Sequence, residues 1–278
     1  MTTKRKPAVA GQFYPAEATE ISTLLNKITK AEDEKINKSL AKKKIIGAVL
    51  PHAGYVYSAY QAVHFFEILR LSKQTFDTVV IVNPNHTGKG KEIGIDPSDI
   101  WETPLGDIPI DKEFAENCGL PFSKEAHEFE HSAEVMLPMF KHFTDFNLKI
   151  LPISLGNQNF LNAKAIARNI YNAGKLQNKK ILFIASTDFS HHVPQADAEK
   201  NDKTALKHVL KKNGAGLIKT VKKLGITMCG YGPTASLIEF SNYINIKSKA
   251  ELLRYGHSGE VSPSETVVGY ASVLFYED

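Results

Sequence analysis

The segment IIGAVLPHAGY, residues 45–55, joins a stretch of framework to a chemically active side chain. Ile45–Leu50 is a continuous apolar run, the pattern of a strand buried on both faces. Pro51 ends it, because proline fixes φ and removes a backbone donor. Gly54 then permits a tight reversal or a close backbone approach. Between the two sits His52, a side chain able to ligate a metal or move a proton. Taken alone, it reads more simply as a histidine that caps a turn or hydrogen-bonds a carbonyl.

The same design recurs along the chain. Thr78–Val82 (TVVIV) leads into NPNHTG and His86. Lys149–Leu155 (KILPISL) ends in Gly156 and Asn157. Ile181–Ser186 (ILFIAS) leads into TDFSHH, which carries Asp188, His191 and His192. Val267–Phe275 (VVGYASVLF) closes the chain. Helical patterns lie between these runs, at Ser58–Leu71, Ser132–His142, Phe160–Ala173, Gln195–Lys211, Gly216–Lys223 and Thr234–Tyr243. This alternation predicts an α/β fold with a mixed, largely parallel sheet covered by helices. If the strands run parallel, His52, His86 and the Asp188–His192 group share one sheet edge. Ligands of open α/β sheets bind at that edge, beyond the carboxyl ends of the strands.

Composition narrows the function classes. The chain has 278 residues, 42% hydrophobic and 23% charged, ordinary for a globular protein. Its 34 basic and 30 acidic residues leave a formal charge of +4, too small to argue for nucleic acid. Lys35–Lys44 reads as a solvated helix and linker before the first strand. Cys118 and Cys229 cannot build a disulfide framework. The opening MTTKRKPAVAGQFYP lacks the apolar core of a signal peptide. No run approaches the ~20 apolar residues of a membrane span. The expectation is a cytoplasmic, reduced protein with no membrane and no nucleic-acid partner.

His86 repeats the arrangement of His52, with Pro84 stiffening the strand exit. The following GKGKEIG lacks the spacing of a phosphate loop. Asp188 and His191 can face one cleft, as an acid–base pair or as ligand and support. Ser190 lacks the G-x-S-x-G elbow of a serine hydrolase. Glu128, Glu130, His131 and Glu134 match no zinc-protease order. They form either a solvated acidic helix start or a group that turns His131 into the cleft. Cys229, in TMCGYGPTAS, lies in a Gly-rich turn before a helix, a setting that favours the thiolate. Cys118 has no such partners and reads as structural. Two imidazoles and a thiolate leave a coordination position open, and they suit iron, copper or zinc over magnesium or calcium.

Read in order, these landmarks resemble the Memo family. They are PAVAGQFYP at 7–15, PHAGY at 51–55, PNH at 84–86, EHSAE at 130–134, TDFSH at 187–191, CGYGP at 229–233, YGHSG at 255–259 and VGYAS at 268–272. Asn83, Ala59, Thr187 and His192 depart from the family's commoner residues. The resemblance implies one three-layer α/β domain over residues 1–278, related to the class III non-haem iron extradiol dioxygenases. It implies a single divalent transition metal, iron or copper with zinc as an option, held by His52, His86 and Cys229. Asp188, His191 and His131 are then the catalytic groups of the cleft. In the ring-cleaving relatives a carboxylate stands where Cys229 does, and a thiolate donates more charge to the metal.

The implied activity is that of a metal-dependent redox or oxygenase-like enzyme of unknown substrate. The alternative is a non-catalytic module that binds a small molecule or peptide in the same cleft, as animal members bind phosphorylated receptor peptides. Companion proteins of the prokaryotic AmmeMemoRadiSam group, one of them a radical SAM enzyme, are the implied partners. A third reading, a zinc hydrolase, needs Glu134 as its base.

Overall fold

The computed structural model describes residues 2–278. Its strands are β1 (Lys4–Arg5), β2 (Lys44–Leu50), β3 (Thr78–Pro84), β4 (Ile93–Ile95), β5 (Ile100–Trp101), β6 (Ile108–Pro109), β7 (Ile150–Leu155), β8 (Ile181–Ser186), β9 (His191–Val193), β10 (Lys249–His257) and β11 (Val267–Glu277). Its α-helices are α1 (Ala18–Glu32), α2 (Tyr55–Ser72), α3 (Lys112–Asn117), α4 (Leu137–Phe143), α5 (Phe160–Leu176), α6 (Gln195–Leu210), α7 (Gly214–Leu224) and α8 (Tyr231–Ile244).

The main sheet runs in the order β10-β11-β2-β8-β3-β7-β4. Its centre is parallel: β2 pairs with β8, β8 with β3, and β3 with β7. β11 and β10 continue it antiparallel on one side, and β4 is antiparallel on the other. The sheet is therefore mixed with a parallel core, as the strand pattern predicts. A small second sheet, β1-β5-β6, lies apart.

Alternation along each central strand explains the three layers. Val79 and Ile81 face one core with Leu182 and Ile184, against α1, α2 and α4. Val80 and Val82 face the other with Phe183 and Ala185, against α5 to α8. Both faces are dry, so the strands read as unbroken apolar runs. Each fully buried Val, Ile, Leu or Phe side chain contributes about 1.5–3 kcal/mol.

The structure differs from the sequence reading in three places. The helix expected at Ser132–His142 is a 3₁₀ turn at Glu134–Met136 followed by α4. Pro138 dictates this, since proline is tolerated in the first turn of a helix and not in its interior. The basic segment before the first strand is not a free linker. It forms two 3₁₀ turns, Asp33–Lys35 and Lys38–Lys42, and Ile36 and Leu40 bury into the core. Finally, α1 and β10 were not legible as elements. No helix of the described residues is long and apolar enough to cross a membrane.

Candidate metal centre

Three parallel strands deliver side chains to one edge. β2 exits through Pro51 to His52, β3 ends at Pro84 ahead of His86, and β8 leads through Thr187 to Asp188. The turn before α8 brings Cys229 against them. Donor atoms of His52, His86 and Cys229 all lie within 4.8 Å of one another. Nε2 of His52 is 3.4 Å from Cys229 Sγ. Bonds of roughly 2.0–2.3 Å to a shared ion put tetrahedral donors about 3.3–3.8 Å apart, so the set fits one metal after a small contraction.

Hydrogen bonds fix which nitrogen of each imidazole is free. Ser186 Oγ donates its only proton to the Ser132 carbonyl at 2.6 Å. It must therefore accept from His52 Nδ1, 2.7 Å away, which leaves His52 Nε2 as a lone-pair donor. Glu130 does the same for His86. Its Oε1 accepts from His86 Nδ1 at 2.9 Å and its Oε2 from the His86 backbone N–H at 2.6 Å. Ser132 adds its N–H and hydroxyl to Oε1, at 3.0 and 2.7 Å. Burial opposes ionisation of Glu130, but these donors outweigh it and hold the carboxyl at about 2. With both oxygens occupied, Glu130 supports His86 rather than forming a second ion site with His86 and His131.

Cys229 reverses an expectation. A turn ahead of a helix favours a thiolate, but Cys229 lies two residues before α8 begins and is half-buried. Burial, then the charge of Asp188, pushes the thiol well up. The Asp188 backbone N–H, 3.2 Å from Sγ, is a donor suited to the anion. A cation between the imidazoles would supply what the protein alone does not, because metal binding displaces the thiol proton.

The remaining residues take distinct places. Asp188 Oδ1 accepts from the His52 backbone N–H at 2.9 Å, and its Oδ2 lies 3.8 Å from His52 Nε2. Burial raises this carboxyl to about 6. The His131 ring stacks on His86 at 4.8 Å and meets His52 edge-on at 5.5 Å. Phe13 packs its edge against His131 at 4.8 Å. His191 is half-buried and outside the converging donor set. Its Nδ1 donates to the Thr227 carbonyl at 2.8 Å, and its backbone N–H donates to the Thr227 hydroxyl at 2.7 Å. His192 is exposed, with φ at +55°.

Glu134 is no base. Its buried carboxylate accepts from Arg5 at 2.6 Å, from the N–H groups of Ala8 and Val9, and from the Tyr14 hydroxyl. It ties down the N-terminal stretch that carries Phe13, and the zinc-hydrolase reading fails on this geometry. The acidic group at 128–134 is likewise not a solvated helix start, since Glu130 and Glu134 are both fully buried. Ser132, Ser186, Phe13 and Thr227 were missed as site residues. Only Ser132, adjacent to the Glu–His pair, carried any signal in the sequence.

The family model described as Memo-like protein matches residues 5–274. A MEMO1 family protein of Methanococcoides burtonii is 37% identical over 97% of this chain and 99% of its own length. MEMO1 family proteins of Methanococcus maripaludis (strain C6) and Methanocaldococcus jannaschii are 38% and 37% identical, over 98% and 97% of this chain and 99% and 98% of theirs. Among solved structures, the uncharacterized protein JW3007 of Escherichia coli K12 shares the fold. It has a TM-score of 0.56 at 13% identity and covers 83% of this chain and 99% of its own. With the family model and near-full-length relatives in agreement, this chain belongs to the Memo family.

Proposed function

We propose that the chain is a metal-dependent redox or oxygenase-like protein whose cleft holds one divalent transition ion, iron or copper, on His52, His86 and Cys229. One observation carries the reading: independent partners free Nε2 on both imidazoles, and both rings converge on one sulfur. Such an ion supplies one-electron chemistry and an open coordination position when bound. The side chain of His86 is 34% exposed, so solvent and small molecules reach the donor set from its side.

The chain's own groups would then handle protons and orientation. Asp188, titrating at about 6, holds or accepts a proton beside His52 near neutral pH. His191, with Nδ1–H committed to Thr227, would present the lone pair of Nε2 for proton exchange with solvent. His131 and Phe13 form an apolar wall that limits water. Protein purified without oxygen should carry one iron or copper per chain by elemental analysis, and His52→Ala should lose most of it. Undiminished metal in that variant rejects the assigned ligands.

The binding-module reading draws on one feature. Phe129 is 61% exposed two residues from His131, with Lys89 Nζ over its ring at 5.3 Å. An aromatic–cation pair at that position suits a partner peptide or a companion protein. Metal-free protein that binds such a partner at full strength supports this reading over the first.

A further inference from the structure

The donor set occupies the carboxyl ends of the parallel strands. At their opposite ends, roughly 20 Å away along β2, lies a cavity of about 480 Å³. It straddles the lower sheet edge. Ile46 and Phe240 belong to the core on one face, Ile45 and Phe76 to the core on the other. Ile181 and Ile244 complete an apolar floor and wall. A smaller neighbouring cavity of about 170 Å³ shares Ile181, Phe240 and Ile244. Pockets for small molecules run from roughly 300 to 1,000 Å³, so the larger cavity is of the right size.

The rim has a distinct charge. Lys44, Lys73, Lys179 and Lys180 line the larger cavity, with Glu277 as its one acid. Glu277 is engaged by Lys44 at 2.7 Å and by Asn245 at 2.7 Å, and Lys179 is paired with Asp111. Among the described residues, neither Lys73 nor Lys180 has a carboxylate within ion-pair distance. Lys73 also ends α2 in the left-handed region, at φ +55°, where glycine is the usual occupant. A lysine there accepts backbone strain and sets a cation at the cavity mouth.

The geometry points to a second binding site, for a small organic anion with an apolar body. A carboxylate or phosphate-monoester head meets Lys73 and Lys180, and a short chain or ring lies against Ile46, Phe240 and Ile244. No metal-ligating histidine or cysteine lines the cavity, and the positive rim disfavours cations. The site is independent of the metal centre.

The test uses the whole chain and displacement of anilinonaphthalene sulfonate fluorescence. Octanoate and octyl phosphate should displace the dye, whereas octylamine should not. The double substitution Lys73→Glu, Lys180→Glu should weaken octyl phosphate by about tenfold or more, since each exposed cation contributes modestly and the substitution reverses both charges. Ile244→Trp, at a wall position that is 39% exposed, should fill the cavity and abolish displacement while cooperative thermal unfolding persists. Equal displacement by octylamine overturns the anion class. Absent dye binding, or unchanged octyl phosphate affinity in either folded variant, overturns the site.

Discussion

Ser186 has one proton and two neighbours, and the choice between them sets the chemistry of His52. Because that proton goes to the Ser132 carbonyl, His52 presents Nε2 to the cleft. Ser186→Ala removes the lock without touching a proposed ligand, so metal affinity should fall about 10–100-fold, read by competition with a chelator. An unchanged affinity would mean that packing alone orients the ring. Asp188 gives a prediction with a definite sign. Its folded pKa of about 6 lies above its ordinary 3.8, so its contribution to stability is present below the lower value and lost as pH rises through the upper. Chelator-treated Asp188→Asn should therefore be more stable than the parent above pH ~6, by on the order of 2–3 kcal/mol, with no gain near pH ~4. Urea unfolding at the two pH values measures it. Glu130 has the opposite sign: held at about 2, it contributes stability above 4.5 that is lost as pH falls toward 2.

Two connecting elements show how placement depends on a few atoms. The N-terminal stretch has little regular structure, yet Phe13 stands at the cleft because Glu134 gathers Arg5, two backbone N–H groups and Tyr14. Arg5 and Glu134 are both buried, at 5% and 0% exposure. Glu134→Gln leaves Arg5 uncompensated and should cost about 3–5 kcal/mol in chemical denaturation. The turn at Cys229 is equally constrained. A Cβ on Gly230 would lie 2.2 Å from the Ser186 carbonyl oxygen and 2.5 Å from Thr187 Cβ. Gly230→Ala must push the turn off the end of β8, carrying Sγ from the imidazoles. Metal stoichiometry should fall sharply in this variant, and full occupancy would show that the turn has slack.

Across the whole molecule, the centre joins parts of the chain that are remote in sequence. His52 and His86 leave two strands of one sheet edge, β2 and β3, with β8 between them, and Cys229 arrives from beyond five further α-helices and six further strands. An ion bound there links β2, β3 and the start of α8, so it should stabilise the folded state by mass action. At a free metal concentration of 100 times Kd the gain is about 2.7 kcal/mol. Thermal unfolding with and without iron(II), against Cys229→Ser as reference, measures it. A midpoint that does not move with metal in the parent protein sinks the centre.

The apolar runs at 45–50, 78–82 and 181–186 needed only their own side chains to declare themselves as buried strands, because both faces are dry. The Pro-His exits, and the convergence of His52 and His86, followed from the strand directions. β10 stayed hidden because it is half-buried at the sheet edge, where alternation is weak. The upward push on the Cys229 thiol lay outside local reading too, since a thiol's ionisation answers to everything packed around it and not to the helix that follows. So did the tautomers of His52 and His86. Those depend on Ser186, Ser132 and Glu130, whose partners cannot be read from their own segments, and a hydrogen bond between distant segments exists only once the chain has folded to bring donor and acceptor within 3 Å.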